Sequence, residues 1–154
     1  METVRAATAD DVGVVTELLT ALAEELGPMR GGAVWRRRDA RAEPLAAAVQ
    51  RMVSDPATEV LIGELDGSAV GVGVMTVETL TDGGSLARIT ELYVLEAARE
   101  VGLGEVLLDG LVAIATARGC IGVDAPALPG HRAAKNFFED QGFTARLLTM
   151  HREL

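Results

Sequence analysis

The sequence predicts a mixed α/β fold in which a mostly antiparallel sheet is combined with helices. Three strand-like segments joined by short turns occupy residues 59–95, which predicts an antiparallel meander. An apolar helix and a further short apolar segment follow, and a strand that returns after a helix pairs most economically in parallel. The predicted order is β-α-α-β-β-β-α-β-α-β, and at 154 residues we expect a single domain over residues 1–154.

The N-terminal part is predicted to form a strand and then a helix. Thr3 to Ala7 has the composition of a short strand. Thr8 followed by Asp11 is a capping-box variant that begins a helix. Apolar residues recur at helical spacing from Val12 to Leu26, and Gly27-Pro28 ends the pattern.

The next segment, Met29 to Arg41, changes composition abruptly. It contains glycines, the only tryptophan (Trp35) and five arginines. Two interpretations stay open: a solvated loop, or a lid on the substrate side in which Trp35 forms a hydrophobic wall. A second helix is predicted from Glu43 to Val53, ending at Asp55-Pro56.

The meander follows this helix. Its strands are predicted at Glu59 to Leu65, Ala69 to Val77 and residues 87–95. Asp66-Gly67 is a hairpin signal between the first two, and Thr81 to Gly84 is a second turn.

The C-terminal part alternates helices and strands. An apolar helix is predicted around residues 106–115, closed by Arg118-Gly119. Cys120 to Val123 is predicted as a buried strand, parallel to the third strand of the meander. His131 to Gln141 is predicted as the last helix and Phe143 to His151 as a final strand.

The loop from Arg99 to Gly104 lies between the end of a predicted strand and the start of a predicted helix, and it contains two glycines. Such a loop leaves backbone N–H groups exposed at the positive end of a helix dipole, which suits an anion such as phosphate. Neither a three-glycine dinucleotide fingerprint nor a Gly-Lys phosphate loop is present, so these two kinds of nucleotide site are disfavoured.

The loop resembles the acetyl-CoA signature of the GCN5-related N-acetyltransferases, [Q/R]-x-x-G-x-[G/A]. Arg99, Gly102 and Gly104 fill its three defined places, and Leu92-Tyr93-Val94 supplies the L-x-V element that precedes it. A second family motif, N-x-x-A-x-x-F-Y-x-x-x-G-F, is matched in part by residues 131–143. The resemblance covers essentially the whole chain and implies the family's sheet flanked by helices.

Two positions depart from the second motif. His131 stands in the asparagine place and Phe138 in the tyrosine place, where many members carry the general acid. The usual acid therefore cannot be carried over. Tyr93 is a substitute candidate for it, or else a packing residue, and His131 is a contact for the acyl end of the co-substrate or else only the residue that begins the last helix.

The resemblance implies acetyl-CoA as co-substrate. Two histidines and one cysteine argue against a structural zinc site, so we expect no metal. The residues expected to bind it lie at the end of the third meander strand, in the glycine loop and on the last helix: Leu92, Tyr93, Val94, Arg99, Glu100, Val101, Gly102, Leu103, Gly104, Glu105, His131, Lys135 and Phe138.

Two groups are candidates for the chemistry of acyl transfer. Glu91 is expected to be the base that takes a proton from the amine, because burial in an apolar strand makes a carboxylate more basic. The alternative is that Glu91 faces solvent or pairs with an arginine. The backbone N–H of Val94 is expected to stabilise the oxyanion. A β-bulge in this strand would change which side chains share a face with Glu91.

Charge and composition exclude some classes of function. A net charge of −9 argues against generic nucleic-acid or anionic-membrane binding, and one cysteine excludes an internal disulfide. With no signal peptide and no membrane-spanning apolar run, we expect a cytoplasmic protein, and the family resemblance suggests a homodimer.

The function predicted from these features is acetyl-CoA-dependent transfer of an acyl group to a primary amine of a small molecule or protein. The alternative is a catalytically weak acyl-CoA-binding or regulatory domain of the same fold, which Phe138 and His131 favour.

Overall fold

The computed structural model describes residues 1–154 and contains one five-stranded sheet in the order β1-β2-β3-β4-β5. The first four strands pair antiparallel with their neighbours, and β5 pairs parallel with β4. The strands are β1 (Glu2–Ala6), β2 (Thr58–Leu65), β3 (Ser68–Thr79), β4 (Ser85–Val94) and β5 (Val123–Asp124). The predicted mixed α/β class, the meander and the parallel return are confirmed.

Helices cover both faces of this sheet and divide its core in two. They are α1 (Val12–Leu26), α2 (Gly32–Arg38), α3 (Leu45–Ser54), α4 (Leu103–Ala117) and α5 (Arg132–Asp140). The apolar residues of α1 and α3 pack with Ile62, Val72, Val74 and Tyr93 on one face. Those of α4 pack with Met75 and Ile89 on the other. No helix is both long and apolar enough to cross a membrane.

A β-bulge interrupts β4 at Thr90. Glu91 pairs with Val74 of β3, whereas Met75, the next residue of β3, pairs with Ile89. Thr90 is therefore an extra residue, and the side-chain alternation changes phase across it. This is why Ile89 packs on the α4 face while Tyr93 packs on the α1 face.

Beyond the bulge, β4 loses its parallel neighbour. The ladder with β5 contains only Ala87 and Arg88 of β4. The following half of β4, including Glu91 and Val94, therefore has β3 on one side and an opening on the other.

One predicted strand does not form, and one segment left open between a loop and a lid contains a helix. The segment 29–41 is not wholly a loop, because α2 forms within it after Gly31 adopts a left-handed conformation (φ 86°). The final strand predicted at Phe143 to His151 does not form, and Leu147, Leu148 and Met150 are exposed. The buried strand predicted at Cys120 to Val123 is also wrong in its bounds, because β5 is Val123–Asp124 and Ile121 is exposed. A strand needs a partner edge to bond with, and a two-residue β5 offers little edge to a further strand.

The turn from β1 into α1 is fixed by a network around Asp11. The Asp11 carboxylate accepts two hydrogen bonds of 2.8 Å from Arg5 and one of 2.7 Å from the Thr8 amide. The predicted capping box is thus present, before a single 3₁₀ turn that leads into α1. The hydrogen bonds from the Arg5 guanidinium, which have the largest effect, and the hydrogen bond from the Thr8 amide hold the pKa of Asp11 well below its usual range.

We predict that Asp11→Ala lowers the free energy of unfolding by about 2 kcal/mol at pH 7, because the turn loses its cap and a charged acceptor. The pKa of Asp11 is lower in the folded protein, so its contribution is complete above about pH 4 and is lost as the pH falls further. Urea denaturation from pH 7 to pH 3 should show this loss. Asp10→Ala, in an exposed neighbour whose carboxylate accepts no hydrogen bond, is the control; equal effects of the two variants would refute the prediction.

Candidate active site

The opening beside β4 exposes the backbone of Val94. Hydrogen bonds alternate along an antiparallel pair, and the amide of Leu95 donates to the Val70 carbonyl of β3 at 2.9 Å. The amide and carbonyl of Val94 therefore both point away from β3. The carbonyl accepts a hydrogen bond of 2.8 Å from Arg99 Nε on that side, and the amide N–H is directed into the opening.

The glycine loop presents an uninterrupted set of free donors. None of the backbone N–H groups of residues 100–105 donates a hydrogen bond to another part of the chain. The first bond of α4 runs from Val106 to the Gly102 carbonyl. Positive φ angles at Glu100 (70°) and Gly102 (87°) shape the loop, and the positive end of the α4 dipole adds to it. This part of the site has the geometry expected for a phosphate-binding loop.

The two glycines of the loop meet different surroundings. A Cβ atom at Gly102 would contact nothing within 4 Å, so the space in front of the loop is open. A Cβ at Gly104 would lie 3.4 Å from the ring of Phe137. Phe138, the residue expected from the sequence to face the co-substrate, is buried in the core against Phe137 and Phe143. Phe137 is thus the aromatic residue beside the loop.

Arg99 lies behind the loop and joins it to α1. Its guanidinium donates a hydrogen bond of 3.1 Å to Glu25, forms an ion pair with the same carboxylate at 2.9 Å and lies 5.3 Å from the centre of the Tyr93 ring. The hydrogen bond to Glu25 raises the pKa of Arg99, and burial raises the pKa of Tyr93. Tyr93 is therefore a protonated phenol at neutral pH, packed against the core of α1.

His131 and Lys135 belong to α5 and differ in their surroundings. His131 precedes the first turn of α5 and is half-buried, and burial lowers its pKa so that the imidazole is neutral at pH 7. Lys135 is exposed and pairs with Glu139 on the same helix. His151 is exposed, and Cys120 is a free, half-buried thiol.

Glu91 is buried, with 7% of its surface exposed, and it pairs with Arg41. Arg41 Nε and Nη2 each donate to one carboxylate oxygen of Glu91 at 2.8 Å. Nη2 also donates to the Thr90 hydroxyl at 3.0 Å, which the bulge brings to the same side as Glu91. The hydrogen bonds to Glu91 raise the pKa of Arg41. Of the alternatives for Glu91, the structure shows the arginine pair.

A pocket of about 440 Å³ lies over Glu91, between α1 and the segment that contains α2. Trp35 and Leu45 form part of its wall together with Leu19 and Leu22 of α1. The segment after α1 thus contributes to a pocket beside the sheet, as the lid interpretation expected. Arg41 also borders a second pocket of about 280 Å³ toward α3.

The structure therefore brings most of the expected residues to one continuous region along β4, from Glu91 through Tyr93 and Val94 to the glycine loop. Sequence reasoning missed Arg41, Glu25 and Phe137. The arginine-rich composition of the segment was the one signal for Arg41, and nothing in local spacing marked its partner 50 residues away.

Comparison with known proteins assigns the family. The model of the acetyltransferase (GNAT) family matches residues 15–143. The chain belongs to the GNAT acetyltransferases. No curated protein matches it in sequence.

Several solved structures share this GNAT fold. A variant of a Bacillus halodurans protein with four substitutions superposes with a TM-score of 0.81 over 99% of each chain, at 19% identity. A ribosomal-protein-alanine N-acetyltransferase from Brucella melitensis gives 0.75, with 100% of this chain and 99% of that chain covered, at 17% identity. An aminoglycoside acetyltransferase from a soil metagenomic sample gives 0.73, with the same coverage, at 18% identity. At these identities the likeness establishes the fold.

We predict that Arg41→Gln lowers the free energy of unfolding by about 3 kcal/mol, because it leaves the Glu91 carboxylate buried without a counter-ion. The double variant Arg41→Gln/Glu91→Gln should recover much of this loss, since no uncompensated charge remains. Arg38→Gln removes an exposed ion pair with Asp39 and should change stability by less than about 1 kcal/mol. Urea denaturation of the unchanged protein, Arg41→Gln, Glu91→Gln, the double variant and the Arg38→Gln control measures this coupling, and a double variant as unstable as the sum of its two single variants would contradict it.

Proposed function

We propose that the protein transfers an acyl group from acetyl-CoA to a primary amine by direct attack of the amine. The observation that supports this most strongly is the run of free amide donors at residues 100–105, which lies next to the free amide of Val94. Family membership makes acyl transfer the reaction class, and the two sets of donors suit the two ends of one acyl-CoA molecule.

The glycine loop fits the pyrophosphate of CoA. Unpaired N–H groups at a helix N-terminus bind phosphate oxygens directly, and the open space at Gly102 leaves room for a bulky anion. We assign the loop residues 100–105, with Arg99 behind them, to this contact. When bound, acetyl-CoA supplies an acyl group activated as a thioester. His131, half-buried beside the opening and neutral, is assigned to the acyl end of the site.

The residues of β4 are assigned to the chemical step. The Val94 N–H donates a hydrogen bond to the acyl oxygen, on which negative charge develops as the amine attacks. Glu91 takes a proton from the ammonium group, which requires that Arg41 release at least one of the two carboxylate oxygens. A thiol has a pKa of about 8.5, so the thiolate can leave without a dedicated acid. Tyr93, whose phenol is protonated, is the candidate donor if one is used.

A second candidate function is supported by two observations. Both oxygens of Glu91 are engaged by Arg41, and Phe138 lies in the core with no proton to donate. An acyl-CoA-binding or regulatory domain would retain the loop and have no base available. Release of CoA in the presence of amines separates the two candidates, because only the transferase shows it.

Other properties stay predictions. The acceptor amine, a cytoplasmic location and a homodimeric state rest on the sequence and on the family resemblance. No cluster of three or more His, Cys, Asp or Glu side chains is placed to hold a metal ion.

We predict that calorimetric titration with acetyl-CoA gives a Kd in the micromolar range and that Gly102→Asp weakens binding at least tenfold. An aspartate there places a carboxylate where the pyrophosphate is expected. Gly83→Asp is a matched control, because Gly83 also has a positive φ (86°) and open space around its Cβ position but lies at the other end of β4. The control carries the same charge and backbone strain.

The comparison of the two variants decides the role of the loop. Loss of binding in Gly102→Asp alone supports the proposal. Equal loss in both variants, or no binding by the unchanged protein, would contradict it.

A further inference from the structure

The pair of Arg41 and Glu91 poses a problem for any amine acceptor. Glu91 is the one buried carboxylate in the pocket wall, and Arg41 occupies both of its oxygens. An ammonium group that took Arg41's place would leave the guanidinium without its counter-ion, and removing one partner of a buried ion pair is strongly unfavourable. The acceptor must therefore compensate both charges.

We propose that the acceptor is a primary amine that carries its own carboxylate a few bonds away, and specifically an α-amino acid with an apolar side chain. Its ammonium group contacts Glu91 and its carboxylate contacts Arg41. Glu91 then has the ammonium as its counter-ion in place of Arg41, and Arg41 has the ligand carboxylate in place of Glu91. This assignment rests on the proposed transferase function and names the class of its substrate.

Arg41 has donors left for a ligand carboxylate. A guanidinium has five N–H donors, and Arg41 uses the one on Nε and the two on Nη2 for Glu91 and Thr90. The two donors on Nη1 have no acceptor in the chain. The Arg41 side chain is 28% exposed and the Glu91 side chain 7%, so a ligand reaches the guanidinium first.

The charges around the pocket are those of a zwitterion site. The whole chain carries 14 Lys and Arg against 23 Asp and Glu, whereas the pocket wall carries four arginines and three glutamates. Arg36 donates to the Ala23 carbonyl, and neither Arg36 nor Arg37 is paired with a carboxylate. A polyamine or another multiply charged cation would meet these arginines, whereas an acceptor of zero net charge fits a nearly balanced wall.

The rest of the wall suits an apolar side chain. Leu19, Leu22, Trp35 and Leu45 line the same pocket, and its volume of about 440 Å³ accommodates an amino acid. Apolar contacts from these residues add affinity that does not depend on charge.

The exchange of partners also frees the base. Once the ligand carboxylate binds Arg41, Glu91 takes one proton from the ammonium group, and the amine nitrogen then bonds to the acyl carbon. The carbon–sulfur bond of the thioester breaks, and its electron pair leaves on the sulfur. The second proton that the nitrogen loses goes to the thiolate or to water, so the products are an N-acyl amino acid and CoA.

The test compares ligands that differ only in the carboxylate. The pairs are leucine with isoamylamine and phenylalanine with phenethylamine. Binding is measured by calorimetry without acetyl-CoA, and kcat/KM is measured by thiol release with it. In the unchanged protein we expect each amino acid to bind at least about tenfold more tightly than its amine, and to react with a kcat/KM at least tenfold higher, since a hydrogen bond to a charged group is worth that much.

Variants show whether Arg41 is responsible. Arg41→Gln should remove the preference or reverse it, because Glu91 is then free to pair with a lone ammonium. Arg51→Gln is the control, because Arg51 lines the neighbouring pocket and not this one. It should leave the preference unchanged.

The outcomes separate this inference from the proposed function. Amino-acid binding that depends on Arg41 supports the zwitterion site even if no thiol is released, in which case the transferase proposal fails by itself. Amines that bind as well as the amino acids, failure of all four compounds to bind, or an equal change in the Arg51→Gln control would each overturn the inference.

Discussion

Most of the site depends on the point at which β4 parts from β5. The two strands share a ladder at Ala87 and Arg88 only, and the bulge at Thr90 follows at once. A continuous ladder would have used the amide of Val94 for sheet pairing and covered the opening. Because the ladder stops, backbone donors on β4 stay free, and α4 can present its N-terminus to the same opening.

The bulge has a second consequence, which concerns side chains. It places Thr90 and Glu91, which are consecutive in sequence, on the same side of the strand, and both contact Arg41. The strand thus buries the Glu91 carboxylate next to the opening, and its Thr90 hydroxyl helps to hold Arg41, the counter-ion of that carboxylate. The same phase change lets Ile89 pack with α4 while Tyr93 packs with α1 and under Arg99, so both halves of the core are filled from one strand.

The parts of the fold that the sequence predicted are those governed by local rules. Asp66-Gly67 forms the hairpin with positive φ at both residues, and the Thr8–Asp11 box forms as expected. Gly102 takes a left-handed conformation at the start of α4. The prediction of a final strand was wrong because such a strand needs an edge to pair with, and β5 is too short to provide one. Helix α2 was not predicted because it is only about two turns long and begins at two glycines, Gly31 and Gly32.

The site was predictable in its backbone and not in its long-range contacts. Glycine spacing locates the loop, and the L-x-V element that precedes it indicates Val94 as the backbone donor to be tested. The partner of Glu91 depends on how the segment after α1 folds over the sheet, and the register of Glu91 with Thr90 depends on the bulge, neither of which follows from local sequence. Phe137 and Phe138 differ only in which face of α5 each occupies, so the motif alone could not assign the ring beside Gly104.

Amide hydrogen exchange followed by NMR tests, residue by residue, whether the free amides beside β4 form one acyl-CoA site. Saturating CoA should slow exchange at residues 100–105, and acetyl-CoA should extend the protection to Val94, while the hairpin at residues 66–67 is unaffected. Unchanged exchange throughout the loop, or protection that appears only elsewhere in the chain, would mean that these amides do not bind acyl-CoA.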